Sequence, residues 1–128
     1  MERAITNNVE VAVETWYHEQ ASNPGEGNFV YAYEVTITNH GKDMVQLLSR
    51  EWHIKDAVGE TKIIKGIGVV GEQPLLAPGD FHRYISGCNF STEMGSMHGF
   101  YIFKSITQDK MFKVKIPRFV LAFPYSLN

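Results

Sequence analysis

Phe29-Val30-Tyr31-Ala32-Tyr33-Glu34-Val35-Thr36-Ile37-Thr38-Asn39 is the stretch that decides the fold. In an extended chain Phe29, Tyr31, Tyr33, Val35 and Ile37 fall on one face, and Val30, Ala32, Glu34, Thr36 and Thr38 on the other. Strand side chains alternate between faces with a period of two. A helix would scatter 29, 31 and 33 around its circumference, so the helical reading fails here. The run is rich in β-branched and aromatic residues, which suit a pleated, half-covered surface. Asn39-His40-Gly41-Lys42-Asp43 then breaks it with turn-forming residues.

The same pattern extends in both directions. Upstream, Val9, Val11, Val13, Thr15 and Tyr17 alternate with Glu10, Ala12 and Glu14, and Asn23-Pro24-Gly25-Glu26-Gly27 is a turn by composition. Downstream, strands are expected over Val45–Lys55, Thr61–Lys65, Phe81–Gly87, Met97–Phe103 and around Phe112–Ile116, with a short eighth near Phe119–Phe123. Met97–Phe103 is apolar on both faces and is therefore expected at the centre of a sheet. No segment of about ten residues or more carries apolar spacing of three and four. A sheet with one apolar face must cover it, and with no helix to do so the cover is a second sheet. The expectation is an all-β, immunoglobulin-like or fibronectin type III-like sandwich of about seven to eight strands, with a small barrel as the alternative.

The 128 residues suit a single domain spanning 1–128, with its core over about 9–124. The chain is 44% hydrophobic and has a formal net charge of -2, with both signs interspersed. That balance argues against a general nucleic-acid binder. No run approaches the ~20 apolar residues of a membrane span, and Met1–Asn8 lacks the apolar region of a signal peptide. The single cysteine, Cys88, has no intrachain disulfide partner, and the expected compartment is the cytoplasm. An inert core thiol is the ordinary role for such a cysteine.

Few residues suggest chemistry. Gly66-Ile67-Gly68-Val69-Val70-Gly71 matches G-x-G-x-x-G, but dinucleotide binding needs a helix directly after the loop. Pro74 and Pro78 oppose one, so a tight inter-strand loop is expected. A backbone nest for an anion is the alternative. Glu51-x-His53 and Asp80-x-His82 each offer one carboxylate–imidazole pair, short of the three or four ligands of a metal site, so no metal site and no cofactor is expected. No catalytic residues stand out, and the chain reads as a non-enzyme. Arg50 shares a face with Leu48, Trp52 and Ile54, the expected core face. Either a bulge turns it outward, or its stem packs on a ring and its head reaches a carboxylate. The apolar stretch Ile116–Tyr125 reads as a last strand covering the core edge, or else as a docking or self-association surface.

Val45-Gln46-Leu47-Leu48-Ser49-Arg50 with Trp52, Ile54 and Asp56 resembles the bacterial ApaG family. So do Gly66–Pro74, Leu76, Pro78-Gly79, Tyr84, Ser86-Gly87, Gly95, Met97, Gly99, Tyr101, Ile116-Pro117-Arg118-Phe119 and Leu121-Ala122. The likeness runs from about Val9 to Pro124. It implies a fibronectin type III-like fold and an association with cobalt and magnesium resistance or efflux. It also implies a protein-interaction role, since a related domain is appended to a eukaryotic F-box protein and a polymerase-delta-interacting protein. No catalytic residues come with the resemblance.

The expectation is therefore a protein–protein binding module whose surface includes Arg50, Gly66, Gly68, Gly71, Glu72 and Gln73. The alternative is a small-ligand protein for a divalent cation, pyrophosphate or a nucleotide, weakly hydrolytic at most. Self-association through a sheet edge or the C-terminal segment is a further expectation.

Overall fold

A computed structural model describes residues 1–124. Nine strands form two antiparallel sheets, which stack as an immunoglobulin-like, fibronectin type III-like sandwich. In chain order they are β1 (Glu2–Thr6), β2 (Val9–Tyr17), β3 (Phe29–Asn39), β4 (Val45–Asp56), β5 (Thr61–Ile67), β6 (Leu75–Leu76), β7 (Phe81–Phe90), β8 (Met94–Ser105) and β9 (Lys110–Ala122). One sheet has the order β1-β2-β3-β7. The other has the order β5-β4-β8-β9, with β6 also paired to β4.

The alternation read from sequence sets the core. Phe29, Tyr31, Tyr33, Val35 and Ile37 of β3 are buried, as are Val9, Val11 and Val13 of β2. They meet Trp52, Met97, Tyr101, Phe103, Val114, Ile116, Phe119 and Leu121 from the facing sheet. Tyr33, Trp52 and Phe119 pack at 5.5–5.9 Å between ring centroids. Such tilted and edge-on ring pairs add attraction beyond simple area burial. Cys88 packs against this core, and β8 lies centrally between β4 and β9, as its double-sided apolarity requires.

Three features depart from the sequence expectation. β1 pairs with β2 through a turn in which Asn7 and Asn8 both have positive φ, 48° and 65°. Asparagine tolerates that conformation better than most residues, so two adjacent asparagines close a hairpin with a strand that lies before the first one read from sequence, at Val9. β6 is only two residues long, too short for any periodicity to show. The segment Phe119–Phe123 is no separate eighth strand. β9 runs unbroken through Pro117, where the pairing with β8 shifts between Met97 and Gly99. A bulge is one of the few places a sheet accepts proline. The apolar C-terminal stretch thus spends Ile116, Phe119 and Leu121 on the core, and Phe123 packs on Tyr17 and Phe29. Tyr125, the last residue of that stretch, lies outside the described residues.

The two sides of the sandwich differ. On one, β1 and β2 pack against β9, and Lys115 N–H donates to Thr6 Oγ1 at 3.2 Å. On the other, β5 and β7 are both terminal strands and do not close on one another among the described residues.

Close backbone approach at the β4–β8 pairing generates a test. A Cβ added to Gly99 would stand 2.0 Å from the Glu51 carbonyl oxygen, a backbone atom that cannot rotate away. Gly99→Ala is expected to lower unfolding free energy by about 3 kcal/mol in a urea titration. Gly25→Ala, where the nearest atom would be a side-chain oxygen at 3.6 Å, should stay within about 0.5 kcal/mol of wild type.

Candidate functional site

The site predicted from sequence is built by one irregularity in β4. Pairing with β8 shifts between Leu47 and Ser49, leaving Leu48 as an extra residue. A bulge of this kind exchanges the faces of all that follows. Before it, Val45 and Leu47 face the core. After it, Arg50, Trp52 and Ile54 do. The expectation that Leu48 shares the core face with Trp52 is therefore corrected: Leu47 is fully buried and Leu48 is the bulged residue.

The same bulge keeps Arg50 inward. Neither arrangement expected for it is found. Its head is not turned out, and it reaches carbonyls instead of a carboxylate: Nη1 donates to Gly68 O at 2.7 Å and to Ile67 O at 3.1 Å. Gly66, its cross-strand partner, makes room for this, because a Cβ there would lie 2.6 Å from the guanidinium. Beneath the arginine, the hydroxyls of Tyr84 and Tyr101 hydrogen-bond across the two sheets. Burial pushes both phenols up, while the Arg50 charge pulls the other way. A charged-group hydrogen bond to two carbonyls offsets much of the cost of bringing a guanidinium so close to this apolar layer.

The glycine motif runs into a turn between strands, with β6 and no helix directly after it. Gly66 and Ile67 end β5, and Val69 to Glu72 form a tight turn with Val69 N–H donating to Glu72 O and Glu72 N–H to Val69 O. Val70 and Gly71 have φ of 46° and 77°, as in a type I′ hairpin turn. A β-branched residue rarely adopts such a φ. Gly68 is required twice over: its φ is 63°, and a Cβ would lie 2.2 Å from the Glu72 oxygen. Gly68 N–H donates to Leu48 O, so the amides of Gly68, Val69 and Glu72 are all committed to backbone carbonyls. Gln73 binds the hairpin down, donating from Nε2 to Leu48 O at 2.9 Å and accepting at its carbonyl from Gln46 Nε2 at 3.1 Å.

The structure thus brings Arg50, Gly66, Gly68 and Gln73 together, with Gly71 and Glu72 at the exposed tip. Glu72 Oε2 stands 3.5 Å from His82 Nε2 of the other sheet, an ion-pair distance without a hydrogen bond, and that buried nitrogen has no other partner among the described residues. His82 therefore does not pair with Asp80, whose Oδ2 accepts from Ala77 N–H inside the preceding turn. Glu51 and His53 do pair, at 2.8 Å.

Two groupings escaped sequence reading because they depend on register. The Tyr84–Tyr101 pair is one. The other is His53 stacked on His98 at 5.0 Å, on the outer face of β4 and β8. Only pairing His53 with His98 directly across the strands brings them together, and nothing local in sequence sets that offset. Among the described residues no three His, Cys, Asp or Glu side chains form a group that could hold a metal ion, and no helix is long and apolar enough to cross a membrane.

The model of the ApaG domain family matches residues 19–105. The chain belongs to the ApaG family. The protein named ApaG in Mesorhizobium japonicum is 45% identical over 124 residues, covering 97% of this chain and 95% of that protein. The crystal structure of the ApaA protein of Bordetella pertussis is 40% identical with a TM-score of 0.88, covering 91% of this chain and 94% of that one. The C-terminal domain of wzt, at 11% identity and a TM-score of 0.56, shares the fold alone. In this ApaG-family chain, among the segments that carried the resemblance, Val45–Asp56 holds Arg50 and Gly66–Pro74 forms the turn above it.

Two measurements test the site. Gly66→Ala should destabilise by displacing the guanidinium, and Arg50→Ala should remove that clash, so the double variant should be more stable than the summed single losses by about 1–2 kcal/mol in denaturant titrations. For the histidine stack, desolvation first and then the His53, Arg118 and Lys115 charges hold His98 below its ordinary value of 6.5. A histidine with a depressed folded pKa is protonated first in the unfolded chain. Its contribution to stability is thus present above pH 6.5 and is lost as pH falls through 6.5 toward the folded value. An NMR titration should place the His98 midpoint below 6.5, and His53→Asn should move it upward.

Proposed function

We propose that this chain is a non-enzymatic binding module for a protein partner, with the Val69–Glu72 turn between β5 and β6 as its contact surface. The observation that carries this reading is apolar exposure on a fixed backbone. Ile67 is 77% exposed and Val70 65%, on a turn anchored by Arg50 and Gln73. Leu75, at the start of β6, continues the apolar surface. Isolated exposed aliphatics need no explanation, but a cluster on a pre-ordered turn loses little entropy when a partner covers it. Val70 at positive φ adds to the case, since such strain concentrates at contact sites.

In this reading Arg50, Gly66, Gly68 and Gln73 shape the surface from below, while Gly71 and Glu72 form its rim. The association of the family with cobalt and magnesium resistance then reflects what the partner does. The amides of Gly68, Val69 and Glu72 are committed to backbone carbonyls, which leaves only those of Val70 and Gly71 at the tip for the pyrophosphate or nucleotide alternative.

Affinity capture from cells that naturally contain the protein, compared with Ile67→Asp/Val70→Asp, is the test. Aspartate tolerates positive φ better than valine, so the double variant should fold with an unchanged far-ultraviolet circular dichroism spectrum. The expected result is a stoichiometric partner held by wild type and lost with the variant. Identical capture by both would overturn the hairpin assignment. A melting-temperature rise with millimolar pyrophosphate or Co²⁺ would instead favour the small-ligand reading.

A further inference from the structure

β5 is the terminal strand of its sheet, and its backbone has a definite polarity. Gly68 N–H donates to Leu48 O at 2.8 Å and Asp56 N–H to Glu60 O at 3.1 Å. In an antiparallel pair the N–H and C=O of one residue point to the same side, and successive residues alternate. Glu60, Lys62, Ile64, Gly66 and Gly68 therefore direct their backbone groups at β4, in register with Asp56, Ile54, Trp52, Arg50 and Leu48. Thr61, Ile63, Lys65 and Ile67 direct theirs away from the sheet. The Ile67 carbonyl is taken by Arg50. The backbone groups of Thr61, Ile63 and Lys65 have no partner among the described residues.

This edge carries Lys62 and Lys65, one usual kind of edge protection, and lacks the rest. It carries no proline or bulge, and Ile63 and Ile64 are 57% and 44% exposed. Lys65 is drawn back by Glu51 at 3.5 Å. Unpaired edges with exposed aliphatics are templates for another strand.

We propose that the chain pairs with a second copy of itself through this edge, antiparallel, about a two-fold axis at Ile63. That register opposes Ile63 to Ile63 and Thr61 to Lys65. It uses all three outward-facing residues and forms about six inter-chain hydrogen bonds. Centring on Lys65 would set two ammonium groups directly opposite, which is unfavourable. Centring on Ile64 would oppose Thr61 to Ile67, whose carbonyl is already occupied.

Charge complementarity singles out the same register. On the core-facing side it sets Glu60 of one copy against Gly66 of the other. Gly66 has no side chain, and the guanidinium of Arg50 lies directly beside it. The exposed Glu60 carboxylate forms no ion pair within its own chain among the described residues, and it arrives at that guanidinium twice per dimer. On the same side Lys62 lays its aliphatic stem beside Ile64 of the second copy. The assembly is one continuous ten-stranded sheet, counting the short β6 of each copy, with the three-residue pairing at its centre. It does not require the hairpin tip, so it stands apart from the partner-binding reading above.

Sedimentation equilibrium on the purified chain tests this without any lysate. Wild type is expected to show a monomer–dimer equilibrium that weakens with added salt. Ile63→Pro should abolish it while keeping the melting temperature close to wild type, because the Ile63 N–H makes no bond to β4. Glu60→Lys should weaken the dimer by about tenfold, since it turns an attraction for Arg50 into repulsion. Ile63→Lys, which sets like charges on the axis, serves if the proline variant does not fold. A monomer at all concentrations, or a dimer indifferent to residues 60 and 63, overturns the proposal.

Discussion

A guanidinium held against the inner layer of a sandwich is the constraint on which the rest of this structure turns. Arg50 is carried there by the Leu48 bulge, and from then on its surroundings have little freedom. Two carbonyls must face it, so β5 must end where it does and Gly68 must turn back sharply. No side chain can occupy position 66. The hairpin that results is fixed by the charge beneath it as much as by its own turn chemistry. Removing one partner from such an arrangement leaves buried polar groups exposed to an apolar layer, which costs more than the bond itself is worth.

The fold was legible in sequence wherever both faces of a strand had distinct character. Val9–Tyr17 and Phe29–Asn39 could be assigned to the residue, because every second side chain was apolar. What could not be read was register. The Leu48 bulge moves the core face by one position, and no local signal distinguishes Leu47 from Leu48 as its buried member. The same gap hid the Tyr84–Tyr101 contact and the His53–His98 stack, each made by residues far apart in the chain. The candidate site was legible in composition, since glycine at 66, 68 and 71 correctly marked close approach and tight turning. The physical reason differed from the one the motif suggests: an arginine beside Gly66 and a carbonyl beside Gly68 stand where a Cβ would have to go.

The asymmetry of the sandwich gives these local facts a common setting. β1, an addition that sequence periodicity did not anticipate, closes one side against β9. The Asn7–Asn8 turn is what allows it. The opposite side carries both open strands, the arginine and the exposed isoleucines. Polar backbone that a closed barrel would satisfy internally is left there for something else to meet.

Cys88 shows how far burial reaches at the margin of this open side. Burial alone pushes its thiol up to about 12. At neutral pH the reactive thiolate is then on the order of one molecule in a hundred thousand. Peroxide and disulfide reagents attack the ionised sulfur, so burial makes this half-buried cysteine slower to react in the folded state than a free thiol. Its alkylation is therefore expected to speed up when this part of the sandwich opens.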